Sequence, residues 1–133
     1  MSALADIMSK QLKTASASTL VVDGAQRMRD ERIGALLIEK NGELVGIVTD
    51  TDIVRKAVAG RMDLAKATLE NIMTSPLATI ETIRNPHDAQ DMMADLGVRH
   101  LVVQKAGKPA GLVSARDLLV YYKSVSEPKI GQD

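Results

Sequence analysis

In each half of the chain, the apolar positions first follow a helical spacing and then form two consecutive apolar runs. In the first half the helical spacing is shown by Leu20, Val21, Ala25 and Met28. Two apolar runs around Asn41-Gly42 follow and predict a β-hairpin. A second helix is predicted to begin after the hairpin, at Thr49.

The second half repeats this order of predicted elements. Asn85 is a suitable N-cap, and Pro86 takes the first position of a predicted helix. Apolar runs around Ala106-Gly107 predict another hairpin, and the last helix is predicted to begin at Ser114. With a short strand before each first helix, both halves are predicted to be β-α-β-β-α units, so the fold class is α/β (α+β).

The two halves are a tandem duplication at an offset of 65 residues, the distance from Gly46 to Gly111. GIVTDTDIV in the first half recurs as GLVSARDLL in the second, and DIMS recurs as NIMT. We expect a first repeat over residues 1–60, a connector over 61–67 and a second repeat over 68–125. The polar tail, residues 126–133, is expected to be disordered.

Composition narrows the possible partners. The 17 basic and 17 acidic residues cancel, which disfavours nucleic acid as the main partner because such binders usually carry a basic excess. With no cysteine and two histidines, neither a disulfide nor a dedicated metal site is expected. No signal peptide and no run of about 20 apolar residues is found, so a cytoplasmic protein away from the membrane is expected.

The repeated [TS]-x-x-D motif, called the first phrase at Thr49–Asp52 and the second phrase at Ser114–Asp117, permits two interpretations. Thr49 with Asp52, and Ser114 with Asp117, have the spacing of a helix capping box, in which the hydroxyl and the carboxylate each accept a backbone N–H. The same strand-to-helix turn offers N–H groups to an anion, and the aspartate can accept two hydrogen bonds from a vicinal diol such as ribose. Both interpretations can hold together, since a cap can also contact a ligand.

The chain resembles a tandem pair of cystathionine-β-synthase (CBS) domains from about residue 4 to 124. The resemblance is carried by I-M-[ST] at each entrance, by RIGALLI and VRHLVV on the middle strands, and by G-h-h-[TS]-x-x-D at each exit, where h is aliphatic. It implies two pseudo-symmetric units packed through their sheets, with clefts that bind AMP, ADP, ATP or S-adenosylmethionine. It also implies a regulator that forms a homodimer and is not an enzyme.

The resemblance assigns five ligand-binding residues to each half. In the first half they are Gly34, Ala35, Thr49, Thr51 and Asp52, and in the second they are Arg99, His100, Ser114, Arg116 and Asp117. The aspartates would hold ribose, and the hydroxyl residues would face the phosphates or the sugar. Thr51 and Arg116, just before the aspartates, would contact phosphate.

The two sets differ in charge. Arg99, His100 and Arg116 can all donate hydrogen bonds to phosphate, whereas the first half adds the negative charge of Asp50. We therefore expect a phosphorylated ligand at the second phrase, and a neutral adenosine moiety or nothing at the first.

The sequence thus predicts a stand-alone regulatory module that senses an adenine nucleotide in clefts between its repeats and acts on an unknown downstream protein. The alternative is a protein-interaction or dimerisation module with ligand-free clefts, in which both phrases are helix caps only. A nucleic-acid binder is a weaker third interpretation, which steep salt dependence of binding would support.

Overall fold

Two compact units that do not follow the sequence repeats make up the computed structural model, which describes residues 3–126. The first-motif unit is formed by residues 13–77 and contains the phrase at Thr49–Asp52. The second-motif unit combines the chain up to Leu12 with the chain from Ala78 onward and contains the phrase at Ser114–Asp117. Each repeat therefore gives its opening segment to the unit that holds the other phrase.

The first-motif unit is built on a three-stranded sheet in the order β1-β2-β3, with β1 parallel and β3 antiparallel to β2. Its elements, in chain order, are β1 (Thr14–Ser16), α1 (Val21–Glu31), β2 (Ala35–Lys40), β3 (Glu43–Thr49), α2 (Asp50–Asp52), a π-helical segment (Ile53–Val58) and α3 (Leu69–Ile72).

The second-motif unit has the same sheet arrangement, in the order β4-β5-β6. Its elements are a 3-10 helical turn (Leu4–Asp6), β4 (Thr79–Glu81), α4 (Pro86–Leu96), β5 (His100–Lys105), β6 (Lys108–Ser114) and α5 (Ala115–Ser126). The predicted β-α-β-β-α order and the α+β fold class are confirmed. Ser126 ends α5, and the rest of the predicted tail, residues 127–133, lies outside the described residues.

Local sequence signals set the ends of these elements. The side chain of Asn85 accepts the N–H of Asp88 at 2.8 Å and caps α4, as predicted. The hairpin turns at Asn41-Gly42 and Ala106-Gly107 place both central residues at positive φ, with values between 52° and 80°. This is the turn whose twist matches two antiparallel strands, so both predicted hairpins are confirmed.

Each unit has an aliphatic core of its own, built from equivalent positions of the two repeats. The first core contains Met28, Leu36, Ile38, Val48 and Leu69, and the second contains Met93, Leu101, Val103, Val113 and Leu4. Leu4 and Leu69 occupy equivalent places in the repeats and are both fully buried. Leu4, from the first repeat, therefore packs in the second core, and Leu69, from the second repeat, packs in the first core.

The I-M-[ST] segments dock along the last strand of each sheet. Ser9 and Leu112 exchange two backbone hydrogen bonds of 2.9 Å, and Ile47 and Thr74 exchange the equivalent pair. A Cβ atom on Gly111 would lie 2.5 Å from Sδ of Met8 and 2.6 Å from the Ser9 carbonyl oxygen. The repeated glycine is therefore required by the close approach of the protein's own chain.

Within residues 3–126, no helix combines the length and the apolar character needed to cross a membrane.

Replacing Gly111 with alanine is expected to lower the free energy of unfolding by about 1–3 kcal/mol, because the added methyl group overlaps the docked segment. Chemical denaturation measures the change. Lys108→Ala, an exposed position on the same strand, should change it by less than about 0.5 kcal/mol. Equal stabilities for the two variants would contradict the docking account.

Candidate functional site at the two strand-to-helix turns

Each phrase lies where the last strand of a sheet turns into a helix, beside the start of the middle strand. Thr49 pairs with Ala35, and the Asp50 N–H donates to the Gly34 carbonyl at 3.0 Å. The second-motif unit repeats this arrangement: Ser114 pairs with His100, and the Ala115 N–H donates to the Arg99 carbonyl at 2.9 Å. The structure thus gathers the five predicted residues of each repeat at one corner of a sheet.

The second phrase forms a reciprocal capping box. The Ser114 N–H donates to Oδ2 of Asp117 at 2.8 Å, and the Asp117 N–H donates to the Ser114 hydroxyl oxygen at 3.0 Å. These bonds fix the carboxylate at the start of α5. Oδ1 of Asp117 accepts no hydrogen bond from the residues that the structure describes.

Oδ1 belongs to a carboxylate that lines an open pocket of about 300 Å³ in the second-motif unit. The pocket is lined by Ile7, Arg116, Asp117, Val120, Tyr121 and Ser124. It therefore combines one cation, one carboxylate and an aromatic ring. His100 and Ser114 adjoin this corner through the strand pairing, and Arg99 does so through its carbonyl. None of the three lines the pocket.

The first phrase forms the same box with longer contacts. The Thr49 N–H donates to Oδ2 of Asp52 at 2.9 Å, and the Asp52 N–H donates to the Thr49 hydroxyl oxygen at 3.3 Å. The other oxygen, Oδ1 of Asp52, lies 3.2 Å from Nζ of Lys56. The same ammonium group donates to the Ile72 carbonyl at 3.0 Å, so it is held from two sides.

Several residues around these corners were not found by sequence reasoning. Lys56 and Tyr121 lie four residues after their aspartates, one helical turn away, and aligning the repeats at the offset of 65 could have revealed this difference. Ile7 enters the pocket from the docked opening segment, and no spacing in the sequence indicates that contact.

A larger cavity of about 570 Å³ in the first-motif unit contains none of the predicted ligand residues. It is lined by residues 14–18 and by Glu39, Lys40, Asn41, Thr68 and Glu70. An ion pair of 2.6 Å between Lys40 and Glu70 joins two of its lining residues. It is therefore separate from the corner that carries the repeated phrase.

Metal-binding side chains do not cluster in the part of the chain that the structure describes: no group of three histidine, cysteine or acidic residues could hold an ion there. His87 lies on α4 with Nε2 3.5 Å from a carboxylate oxygen of Asp91.

The CBS-domain family model matches residues 4–59 and 69–124. The chain belongs to the CBS-domain family. This confirms the resemblance found in the sequence, and CBS-domain pairs are generally regulatory or ligand-binding modules.

Several relatives are similar to this chain over most of its length. The CBS domain-containing protein YhcV of Bacillus subtilis is 28% identical over 120 residues, which cover 90% of this chain and 85% of that protein. An uncharacterized protein of Methanopyrus kandleri is 30% identical over 116 residues, covering 86% of this chain. The chain spans 59% of the length of that protein and of an Acidianus ambivalens relative.

Solved structures agree with this family. A protein with CBS domains from Burkholderia ambifaria superposes with a TM-score of 0.89 at 27% identity, covering 98% of this chain and all of that one. A CBS-CP12 protein from bloom-forming cyanobacteria, described as hexameric, gives a TM-score of 0.85 at 26% identity, covering 97% of this chain and 76% of that one.

Proposed function

We propose that the chain is a regulatory, non-catalytic module that binds an adenine nucleotide, namely AMP, ADP or ATP, at the second phrase. S-adenosylmethionine shares the adenosine moiety and belongs to the same ligand class. The observation that carries the proposal is the state of Asp117, whose Oδ2 is held by the cap while Oδ1 receives no bond from the described residues.

The carboxylate of Asp117 suits a ribose diol. An ionised carboxylate only accepts hydrogen bonds, and each oxygen can take about two. Because Oδ2 is fixed by the Ser114 N–H, the side chain is already oriented before a ligand arrives. Hydrogen bonds from hydroxyl groups to a charged acceptor are among the stronger ones, which favours the cis-diol over an isolated hydroxyl.

The start of α5 suits a phosphate. Arg116 carries a cation at the rim of the pocket, and as the second residue of α5 its N–H has no acceptor within the helix. The helix has 12 residues, so its dipole adds a partial positive charge at this end. His100 begins the neighbouring strand β5 and Arg99 directly precedes it, so both residues lie at the same corner.

Regulation would follow from a population shift. A nucleotide that binds one conformation of the module more tightly than another moves the equilibrium by its difference in affinity and no further. The output passes to a downstream protein or to a second copy of the chain in the cytoplasm. Self-association is supported by Val54 and Leu119, equivalent positions in the repeats that are 61% and 72% exposed.

A protein-interaction module with ligand-free sites is the second candidate. One observation favours it: both capping boxes close on themselves through 2.8–3.3 Å bonds, so each phrase already stabilises a helix. In this case the pocket at Asp117 would have no nucleotide to bind, and the chain would act through its exposed apolar side chains.

Asp117→Asn should weaken AMP binding by about ten- to 150-fold, the loss expected for hydrogen bonds to a charged group worth roughly 1.5–3 kcal/mol. Asparagine keeps an oxygen to accept the Ser114 N–H, so most of the cap survives. Calorimetric titration with AMP, ADP, ATP and S-adenosylmethionine measures the affinities, and 2′-deoxy-AMP should bind the unmodified protein more weakly than AMP.

The matched control is Asp52→Asn, which makes the same change in the capping box of the first repeat. If no ligand of this panel binds the unmodified protein, the nucleotide proposal is wrong and the interaction module remains. If both variants lose affinity equally, binding is not specific to the second phrase.

Arg116→Gln should weaken AMP by about tenfold and leave adenosine nearly unaffected, because the guanidinium contacts the phosphate and adenosine has none. Parallel titrations with AMP and adenosine at one salt concentration check this. Equal losses for the two ligands would contradict the phosphate role of Arg116.

A further inference from the structure

We infer that the first phrase is closed to ligand by two side chains of its own repeat, Lys56 and Asp50, which therefore determine how many nucleotides the module binds. The inference rests on the proposed function at the second phrase and adds which sites of the chain are open. It is supported by one contact of Lys56 and one of Asp50 in the first-motif unit, and by the different residues that the second repeat has at these two positions.

The ammonium group of Lys56 pairs with the Asp52 carboxylate, which would otherwise bind the ribose. This ammonium lies 3.2 Å from Oδ1 of Asp52, the oxygen that the cap leaves over, and it also donates to the Ile72 carbonyl. The Asp52 side chain is 14% exposed and the Lys56 side chain 44%, so the carboxylate is sheltered from water while its partner remains partly in solvent. A diol that bound Asp52 would have to compete at Oδ1 with a charged donor that has a second anchor.

The carboxylate of Asp50 accepts a hydrogen bond from the Thr51 N–H, which would otherwise bind the phosphate. Its Oδ1 accepts the Thr51 N–H at 2.8 Å, and Thr51 is the second residue of α2, the place that Arg116 has in α5. Its Oδ2 lies 3.3 Å from the position that a Cβ on Gly34 would take, so the carboxylate also covers this end of the middle strand. A phosphate would have to compete with this carboxylate for the Thr51 N–H.

Both blocking residues are absent from the second repeat. At the offset of 65, Tyr121 replaces Lys56 and Ala115 replaces Asp50. Tyrosine does not neutralise Asp117, and alanine brings no carboxylate to the Arg116 N–H. The same backbone turn is therefore self-occupied in one repeat and open in the other, and the module should bind one nucleotide per chain.

An exchange of these residues between the repeats tests the inference. The double variant Asp50→Ala/Lys56→Tyr, called the opening variant below, gives the first phrase the residues of the second. Calorimetric titration with AMP should then give two ligands per chain, against one for the unmodified protein. Lys56→Arg is the matched control: because arginine can also pair with Asp52, it should keep the value at one.

The reverse change brings the lysine to the second phrase. Tyr121→Lys should weaken AMP by about twofold, because a lysine one turn after Asp117 can pair with it as Lys56 pairs with Asp52. Tyr121→Met removes the ring without adding charge, so the difference between the two variants isolates the ammonium. Thermal melting confirms that each variant is folded, and if the opening variant does not fold, Tyr121→Lys decides.

The outcomes separate this inference from the proposed function. Two nucleotides on the unmodified protein, or one on both it and the opening variant, would overturn the closure of the first phrase and leave nucleotide binding standing. No nucleotide on the unmodified protein but one on the opening variant would overturn binding at the second phrase and support the closure of the first. No binding by either, or equal affinity in Tyr121→Lys and Tyr121→Met, would overturn the inference.

Discussion

The structure depends on the close approach between each I-M-[ST] segment and the last strand of a sheet. At Gly111 the backbone of Ser9 and the sulfur of Met8 come nearer than any side chain would allow, and Gly46 provides the same space for Met73 and Thr74. This docking brings Leu4 and Leu69 into the two cores, and it exchanges the opening segments of the repeats. Neither half of the sequence is therefore complete as a folding unit.

The docked segments also bear on chemistry. Ile7 lines the pocket at Asp117, and the Ile72 carbonyl anchors the ammonium of Lys56. The docking shared by both repeats thus supplies one wall of the open pocket in the second-motif unit. In the first-motif unit it supplies a carbonyl that holds Lys56 beside Asp52. The duplication preserved the backbone turn, while changes at two positions of each repeat altered what that turn can bind.

Much of this fold could be predicted from the pattern of the sequence. Elements defined by local rules were found: the Asn85 cap, the hairpin at Asn41-Gly42 and the two capping boxes all follow from contacts within four residues. That Gly46 and Gly111 allow something to approach the strand could be inferred from the sequence, but their partners could not, because these lie far away in the sequence.

The candidate site was predictable in part for the same reason. The repeated phrase indicated Asp52 and Asp117 as equivalent positions, and the excess of cations around the second indicated unequal sites. The physical cause of the inequality at the carboxylates was missed, since it depends on which atoms Lys56 reaches. An ammonium group at i+4 can point into solvent or pair with Asp52, and only the structure shows the 3.2 Å contact.

The central claim is that both phrases cap a helix and only the second also receives a nucleotide. Amide hydrogen exchange followed by NMR, with and without saturating AMP, tests it at single residues. The account predicts that AMP slows exchange at Ser114, Arg116 and Asp117 and leaves Thr49, Thr51 and Asp52 unchanged. Equal slowing at both phrases, or slowing at the first alone, would contradict it.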